Sequence, residues 1–190
     1  MSSSLTDGTN FYNLRKLIMK YLTIPEIKAL LANVPNERQR LMLLAGFNHG
    51  LRVSELIGLR GKDIQFGRVY AKRLKGSNAT TQPYKTSVDP ELDEVSRLTE
   101  LSKTLGPDDI VFPMTRSGVA KLMKRAGARA NIDPLKLHPH ALKHSCARAA
   151  IKVMPINYVQ RYLGHSSLQS TGEYLKASDE ESSEAFALAY

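Results

Sequence analysis

The 190-residue chain has a single cysteine, no long apolar run and few acidic side chains. One cysteine excludes an internal disulfide framework and suits a reducing compartment. The longest apolar run, at 41–47, is far too short to span a bilayer, so we expect no membrane segment. The N-terminus has neither the cationic start nor the apolar stretch of a signal peptide. We therefore expect a soluble cytoplasmic protein.

The shortage of acidic residues leaves the chain strongly basic. Lys and Arg number 27 against 18 Asp and Glu, which gives a formal net charge of +9 and a pI near 9.7. Such an excess favours a polyanionic partner, because neutralising phosphates drives sequence-independent binding to nucleic acid. Many solvated surfaces are also basic, so charge alone is weak evidence for nucleic acid.

Helical patterns cover most of the chain, with one interruption. Thr23 and Glu26 form a capping-box pattern that predicts a helix to about residue 34. Between the helices, 64–66, 69–73 and 80–87 are short, partly β-branched and separated by glycine turns. These patterns predict an α+β fold, mainly helical, with a small three-stranded antiparallel sheet. Further helices are predicted at 36–48, 52–59, 92–105, 116–130, 139–153, 155–163 and 167–174.

The length is enough for one domain with a core and hardly enough for two. We expect a flexible N-terminal tail or short helix at 1–21, one domain at 22–176 and a C-terminal segment at 177–190. That segment begins acidic and ends in an apolar strip. The strip either folds back on its own domain or docks on a neighbouring copy of the chain, and we favour docking.

Six side chains occur in an order that suggests phosphoryl transfer. This chemistry needs cations at the non-bridging oxygens and a positioned nucleophile, and side chains supply both without a metal. A phenol, with an ordinary pKa of about 10, attacks only beside a base or in a cationic field. Each residue alone has an ordinary structural explanation, but together they predict attack of a tyrosine on a phosphodiester. The six are Arg52, Lys75, His140, Lys143, His165 and Tyr174.

Arg52, Lys75 and His165 each have a catalytic and a structural interpretation. Arg52 begins a predicted helix, where its guanidinium can bind a phosphate through two donors. Glu55, one turn later, is placed to hold Arg52 by a hydrogen bond, and a surface Arg–Glu pair is the alternative. Lys75 lies in a predicted turn, where it is either a general acid that protonates a leaving oxygen or an ordinary solvated lysine. His165 follows Gly164 and projects into a cleft or packs structurally.

The predicted hairpin around Lys75 is basic, which favours insertion along a nucleic-acid groove. Contacts from such a hairpin to the phosphate backbone position a protein without reading base sequence. The candidate DNA contacts are Lys72, Arg73, Thr80, Thr81, Tyr84 and Lys85.

The histidines near residue 140 have two interpretations. His140 and His144 have the one-turn spacing of a zinc-binding helix. Ala141 stands where such metallopeptidases have a glutamate, and no third ligand is evident. His140 and Lys143 are also one turn apart and can share a face, which gives a base or phosphate donor beside a cation. We favour phosphate over metal.

These residues resemble the catalytic domain of the tyrosine recombinases, the phage-integrase family, over about 22–176. The segments that carry the resemblance are 50–56, Lys75, 138–145 and Leu163-Gly164-His165 with Tyr174. The resemblance is closest to the small recombinases that invert fimbrial switches. Those recombinases share the residues at 73–75, Thr80-Thr81 and the His-Pro-His run at 138–140. As in those, we expect no separate DNA-clamping domain.

The family pattern implies a role for each candidate. Tyr174 would form a 3′-phosphotyrosine link, Lys75 would protonate the leaving 5′-oxygen and His140 would assist proton transfer. Arg52, His165 and residue 143 would stabilise the transition state. The resemblance implies double-stranded DNA as partner, a tetramer on two duplexes and accessory DNA-bending proteins. It implies no ATP, metal or organic cofactor, and a protein associated with a prokaryotic nucleoid.

One position departs from the family pattern, which has arginine where this chain has Lys143. Lysine keeps the charge but lacks the planar fork that binds two phosphate oxygens together. We expect weakened strand cleavage on a recombinase scaffold. The alternatives are a DNA-binding accessory protein that no longer cuts, and a topoisomerase-like enzyme that uses the same tyrosine without exchanging partners.

Overall fold

The computed structural model describes residues 21–74 and 76–167, which form seven α-helices and two short β-strands. The strands β1 (Arg68–Ala71) and β2 (Thr80–Pro83) lie between the third and fourth helices in the chain. This arrangement confirms the mainly helical α+β fold. The predicted helix at 167–174 falls outside the described residues from 168 onward. The helices are α1 (Ile24–Ala32), α2 (Glu37–Asn48), α3 (Val53–Ile57), α4 (Val95–Lys103), α5 (Arg116–Arg129), α6 (Pro139–Ile151) and α7 (Ile156–Leu163).

Several helices begin at a side chain that caps the first turn. The backbone N–H of Thr23 donates to Glu26 Oε2 at 2.7 Å, which forms the capping box predicted for α1. Asn36 caps α2 by accepting from the backbone N–H of Gln39 at 3.0 Å. Thr115 caps α5 in the same way. These interactions are local, which is why the sequence predicts the start of each helix closely.

Helix α2 forms the centre of the core. Every residue from Leu41 to Asn48 is buried, as expected for a helix surrounded by other elements. It packs against α3 and α6, and a Cβ atom at Gly46 would lie 3.1 Å from side-chain atoms of both Leu56 and Leu142. This close packing fixes α3 relative to α6. No helix in the described part of the chain is long and apolar enough to cross a membrane.

The predicted strand at 64–66 is wrong. A short 3₁₀ helix (Gly61–Asp63) precedes it, and the chain then turns through Phe66 and Gly67, whose φ values are 55° and 69°. Ile64 is buried as a single anchor, whereas Phe66 is fully exposed. A strand needs an extended backbone over successive residues, which this turn prevents. The antiparallel sheet is therefore two-stranded among the described residues, with Arg68 opposite Pro83 and Ala71 opposite Thr80.

Two left-handed glycines direct the chain towards one region of the fold. Gly50 (φ 57°) ends the turn after α2, and a Cβ atom there would lie 2.5 Å from Leu163 Cδ2. Gly164 (φ 70°) ends α7, and a Cβ atom there would lie 2.5 Å from the Asn78 carbonyl oxygen. Both positions require glycine for conformation and for space. The turns bring the start of α3 and the end of α7 beside the hairpin.

Candidate active site

Arg52 precedes α3 and is held by a buried carboxylate. Glu55 Oε2 accepts from the backbone N–H of Arg52, and Glu55 Oε1 accepts from its guanidinium, both at 2.8 Å. The Glu55 side chain is 1% exposed and that of Arg52 is 22% exposed, so this is not a surface ion pair. The guanidinium also donates to the hydroxyl of Ser77 in the hairpin loop. Arg52 is therefore oriented from behind while part of it still faces solvent.

Glu55 is the common acceptor of the cluster. Besides Arg52, it accepts from the guanidinium of Arg73 at 3.3 Å and from the backbone N–H of Leu74 at 3.1 Å. Burial by itself raises the pKa of Glu55, but the hydrogen bonds from Arg52 and Leu74 and the charge of Arg73 outweigh it, so the pKa lies below its ordinary value. Glu55 is thus an anion that organises two arginines.

Lys143 projects from α6 into the same cluster and is 5% exposed. Its ammonium group donates to the backbone carbonyl of Leu163, at the end of α7, at 3.2 Å. Burial, followed by the positive charges of Arg52 and Arg73, lowers the pKa of Lys143 to about 8. The ammonium is therefore largely charged at pH 7 but close to its titration range.

His165 comes two residues after Leu163 and is 7% exposed. Burial, and then the charges of Lys143, Arg52 and Arg73, lowers its pKa to about 4. At neutral pH the ring is therefore an uncharged imidazole, which donates and accepts hydrogen bonds without adding charge. The structure thus assembles Arg52, Lys143 and His165, which come from three separate segments, into one electropositive cluster.

Of the other three predicted catalytic residues, only His140 is among the residues that the structure describes. His140 lies in the first turn of α6, one turn before Lys143, and is exposed. Lys75 and Tyr174 both lie outside the described residues, so their roles stay predictions. The described residues contain no cluster of three or more His, Cys, Asp or Glu side chains suited to a metal ion.

Two predicted DNA contacts of the hairpin are buried instead. Arg73 has a fully buried side chain, and Tyr84 is buried with its hydroxyl donating to the Ile64 carbonyl at 2.7 Å. Thr80 is partly buried and its hydroxyl accepts from Arg73 Nε at 3.1 Å. These three side chains therefore have partners within the protein itself. Lys72, Thr81 and Lys85 are exposed, as a contact with DNA requires.

A buried polar network behind the cluster has no counterpart in the sequence predictions. His49 Nδ1 lies 2.7 Å from Gln82 Oε1 and His49 Nε2 lies 2.6 Å from Glu94 Oε1. The amide of Gln82 donates to the Tyr162 carbonyl at 2.6 Å, and the Tyr162 hydroxyl donates to the Asn48 carbonyl at 2.7 Å. The network joins the turn after α2 to α7. Only the contacts between distant segments reveal it, because nothing local marks these residues.

Helix α5 carries a second feature missing from the predictions. Its sequence contains five basic residues and no acidic one, and this pattern could have predicted a cationic helix. All five are exposed, which gives the helix a cationic surface without neutralising carboxylates. The residues are Arg116, Lys121, Lys124, Arg125 and Arg129.

The fold thus places a cluster of cationic side chains beside a hairpin with exposed lysines in a mainly helical domain. Residues 20–181 match the model of the phage integrase family. The chain belongs to the phage integrase family.

Named relatives agree with this assignment. The chain is 31% identical to a tyrosine recombinase of Pseudothermotoga lettingae, with 94% of this chain and 64% of the relative covered. It is 29% identical to the type 1 fimbriae regulatory protein FimE of Escherichia coli K12, with 82% and 84% covered. It therefore spans less than two thirds of the first of these relatives.

A solved structure shows the same fold. The structure of the XerH site-specific recombinase bound to palindromic difH substrate, in a post-cleavage complex, superposes with a TM-score of 0.66 at 20% identity. The match covers 89% of this chain and 53% of that one.

Proposed function

We propose that this chain is a site-specific DNA recombinase that cleaves and rejoins strands through a 3′-phosphotyrosine intermediate at Tyr174. The observation that carries the proposal is that Arg52, Lys143 and His165, in a member of this family, lie close enough to influence one another electrostatically, beside the buried Glu55 carboxylate that holds Arg52. These groups are distant in sequence, and together they offer a phosphate two positive charges and a neutral hydrogen-bond donor.

The cluster suits the transition state of phosphoryl transfer. The fork of Arg52 binds two non-bridging oxygens of the scissile phosphate, because Glu55 fixes its plane from behind. Lys143 adds a point charge, and the neutral ring of His165 donates one hydrogen bond. Donors fixed in advance stabilise developing charge without reorganising during the reaction.

In the covalent step, the phenolic oxygen of Tyr174 forms a bond to phosphorus and the bond to the 5′-oxygen breaks. His140 accepts the phenolic proton, and Lys75 donates a proton to the departing 5′-oxygen, which leaves as a hydroxyl. A 5′-hydroxyl from a second duplex reverses these steps and releases Tyr174. The phosphoester bond energy is conserved, so the reaction consumes no ATP and needs no metal or organic cofactor.

The proposed partner is double-stranded DNA. Exposed Lys72, Thr81 and Lys85 bind its backbone beside the scissile phosphate, and the cationic surface of α5 provides further phosphate contacts. Exchange between two duplexes requires four copies of the chain, with accessory DNA-bending proteins. The arrangement of the DNA sites then decides between integration, excision, inversion and resolution.

Lys143 favours one alternative, an accessory DNA-binding protein of recombination that no longer cuts. Its ammonium is buried and already donates to the Leu163 carbonyl, so it offers a phosphate fewer donors than an arginine would. DNA binding suffers less than cleavage, because one cation remains.

A suicide duplex that carries a nick beside the cleavage point separates these functions. We expect the wild-type chain to form a covalent adduct on a denaturing gel, and Tyr174→Phe to form none while it retards the duplex normally on a native gel. Tyr158→Phe is a matched control, because its ring is exposed on α7.

The other outcomes identify the alternatives. A retarded complex without any adduct from the wild-type chain would mean an accessory DNA-binding protein. An adduct with plasmid relaxation but no recombinant product would mean a topoisomerase-like enzyme.

A further inference from the structure

We infer, on the basis of the proposed function, that Arg73 is a positioning residue that holds Arg52 and His165 in place for strand cleavage. It touches no DNA in this role. It acts through the four segments that its guanidinium joins.

Arg73 uses all five N–H donors of its guanidinium within the described chain. Nε donates to Thr80 Oγ1 at 3.1 Å, and one terminal nitrogen donates to the Gly50 carbonyl at 2.9 Å and to Glu55 Oε2 at 3.3 Å. The other terminal nitrogen donates to the carbonyls of His49 at 3.0 Å and Tyr162 at 3.1 Å. The acceptors belong to β2, the turn after α2, α3 and the end of α7.

The first consequence concerns Arg52. Glu55 Oε2 accepts from both the backbone N–H of Arg52 and the guanidinium of Arg73, so one carboxylate oxygen joins the two arginines. Arg73 also binds the Gly50 carbonyl, two residues before Arg52. Arg73 thus holds both the chain leading to Arg52 and the carboxylate that orients the Arg52 fork.

The second consequence concerns His165. The Tyr162 carbonyl that Arg73 binds lies three residues before His165. Gly164 packs directly on Arg73: a Cβ atom at Gly164 would lie 2.9 Å from Arg73 Cγ and 3.3 Å from Arg73 Nε. The turn that presents His165 therefore rests on the stem of Arg73.

Only an arginine can fill this position. The five acceptors diverge around a planar group, whereas lysine has three donors on one atom and cannot reach four segments together. Arg73→Lys would keep the charge but release some of these segments. A displacement of about 1 Å at a catalytic group can slow a reaction about 100-fold.

The test compares Arg73→Lys with Arg38→Lys in single-turnover adduct formation on the suicide duplex. Arg38 is a matched control, because it also binds backbone carbonyls, those of Val111 and Ile110, but lies outside the cluster. We expect Arg73→Lys to react about 100-fold more slowly at saturating DNA, with an unchanged half-saturating DNA concentration. Arg38→Lys should react at the wild-type rate.

A wild-type rate in Arg73→Lys, or an equal loss in Arg38→Lys, would overturn the positioning role. If Arg73→Lys does not fold, Thr80→Val removes one acceptor and should slow the reaction about 10-fold at saturating DNA, again with unchanged half-saturation. An unchanged rate there would also overturn it.

A chain that forms no wild-type adduct would contradict the proposed function separately. The positioning role is then measured by NMR of the His165 ring nitrogens in the free protein. Their resonances should move in Arg73→Lys and not in Arg38→Lys, and unmoved resonances in Arg73→Lys would contradict the role.

Discussion

Replacing Lys143 with arginine changes the donor geometry at one point of the cluster while keeping its charge. In the wild-type chain the ammonium donates to the Leu163 carbonyl and is 5% exposed. An arginine at this position would present a planar fork with five donors, which can bind the Leu163 carbonyl and a phosphate oxygen together. We expect Lys143→Arg to accelerate strand cleavage.

The number of aligned donors sets the size of the gain at pH 7. Loss of one aligned donor from such a site costs about 2.7–4 kcal/mol, or ~100- to 1,000-fold in rate. The pKa of Lys143, lowered by burial to about 8, leaves the ammonium largely charged at pH 7, so titration of Lys143 adds little to the gain at that pH. Arginine is more weakly hydrated and stays charged when buried. Adduct formation should therefore rise on the order of 100-fold at pH 7.

The pH dependence distinguishes charge from geometry. In the wild-type chain the protonated fraction of Lys143 falls as pH rises above about 8, so its help to the transition state declines. The arginine does not titrate in this range. At subsaturating concentrations the second-order rate constant of adduct formation reports the free protein, so the ratio of this constant for Lys143→Arg to that for wild type should rise by up to about tenfold per pH unit above 8. Taking the ratio cancels Lys75 and other groups common to both proteins.

The assay is single-turnover adduct formation on the suicide duplex between pH 6.5 and 9.5. Lys136→Arg is the matched control, because Lys136 is also partly buried and pairs with Glu26 at 2.7 Å, away from the cluster. An unchanged rate in folded Lys143→Arg at every pH would refute the reasoning, and so would an equal gain in Lys136→Arg.

Two further predictions concern stability and DNA binding. The folded pKa of His165, about 4, lies below the ordinary 6.5, so between these values the unfolded chain binds a proton that the folded chain does not. We therefore expect the free energy of unfolding of the wild type, relative to that of His165→Gln, to fall by on the order of 3 kcal/mol as the pH drops from 7 to 4. Urea titrations at both pH values measure this difference. A difference that does not change with pH would contradict the prediction. Lys85→Gln should reduce the slope of log affinity for duplex DNA against log salt by about 0.9. Lys62→Gln should leave this slope nearly unchanged, because the ammonium of Lys62 already pairs with Asp108 in the wild-type chain.

The helices could be predicted because their signals are local. Thr23 with Glu26, and Asn36 with the N–H of Gln39, each fix a helix start within one turn of chain. The strand at 64–66 was wrong for the opposite reason. Ile64 is apolar because it fills the core from a turn, and a β-branched residue there gives the same sequence pattern as a short strand. Only the tertiary packing separates the two.

The family pattern predicted Arg52, Lys143 and His165, which the structure brings together, but it did not predict the residues that support them. Lys72, Arg73 and Lys85 are similar in the sequence, as cations on one hairpin. The fold buries Arg73 among five acceptors from four segments and leaves the two lysines exposed. His49 and Glu94 likewise come together from positions 45 residues apart. Burial of this kind depends on contacts that form only when the whole domain folds.

The positions of arginine and lysine in the cluster explain where its chemistry is limited. Arg73, which has the donor geometry best suited to phosphate, is buried and uses that geometry to join protein segments. Lys143, which faces the phosphate in the proposed reaction, has the poorer geometry and a pKa lowered by burial and then by the two neighbouring arginines. The segments around Arg52 and His165 are therefore extensively hydrogen-bonded, while Lys143 is the weaker donor to a phosphate. Cleavage should respond strongly to the side chain at 143, and DNA binding should respond little.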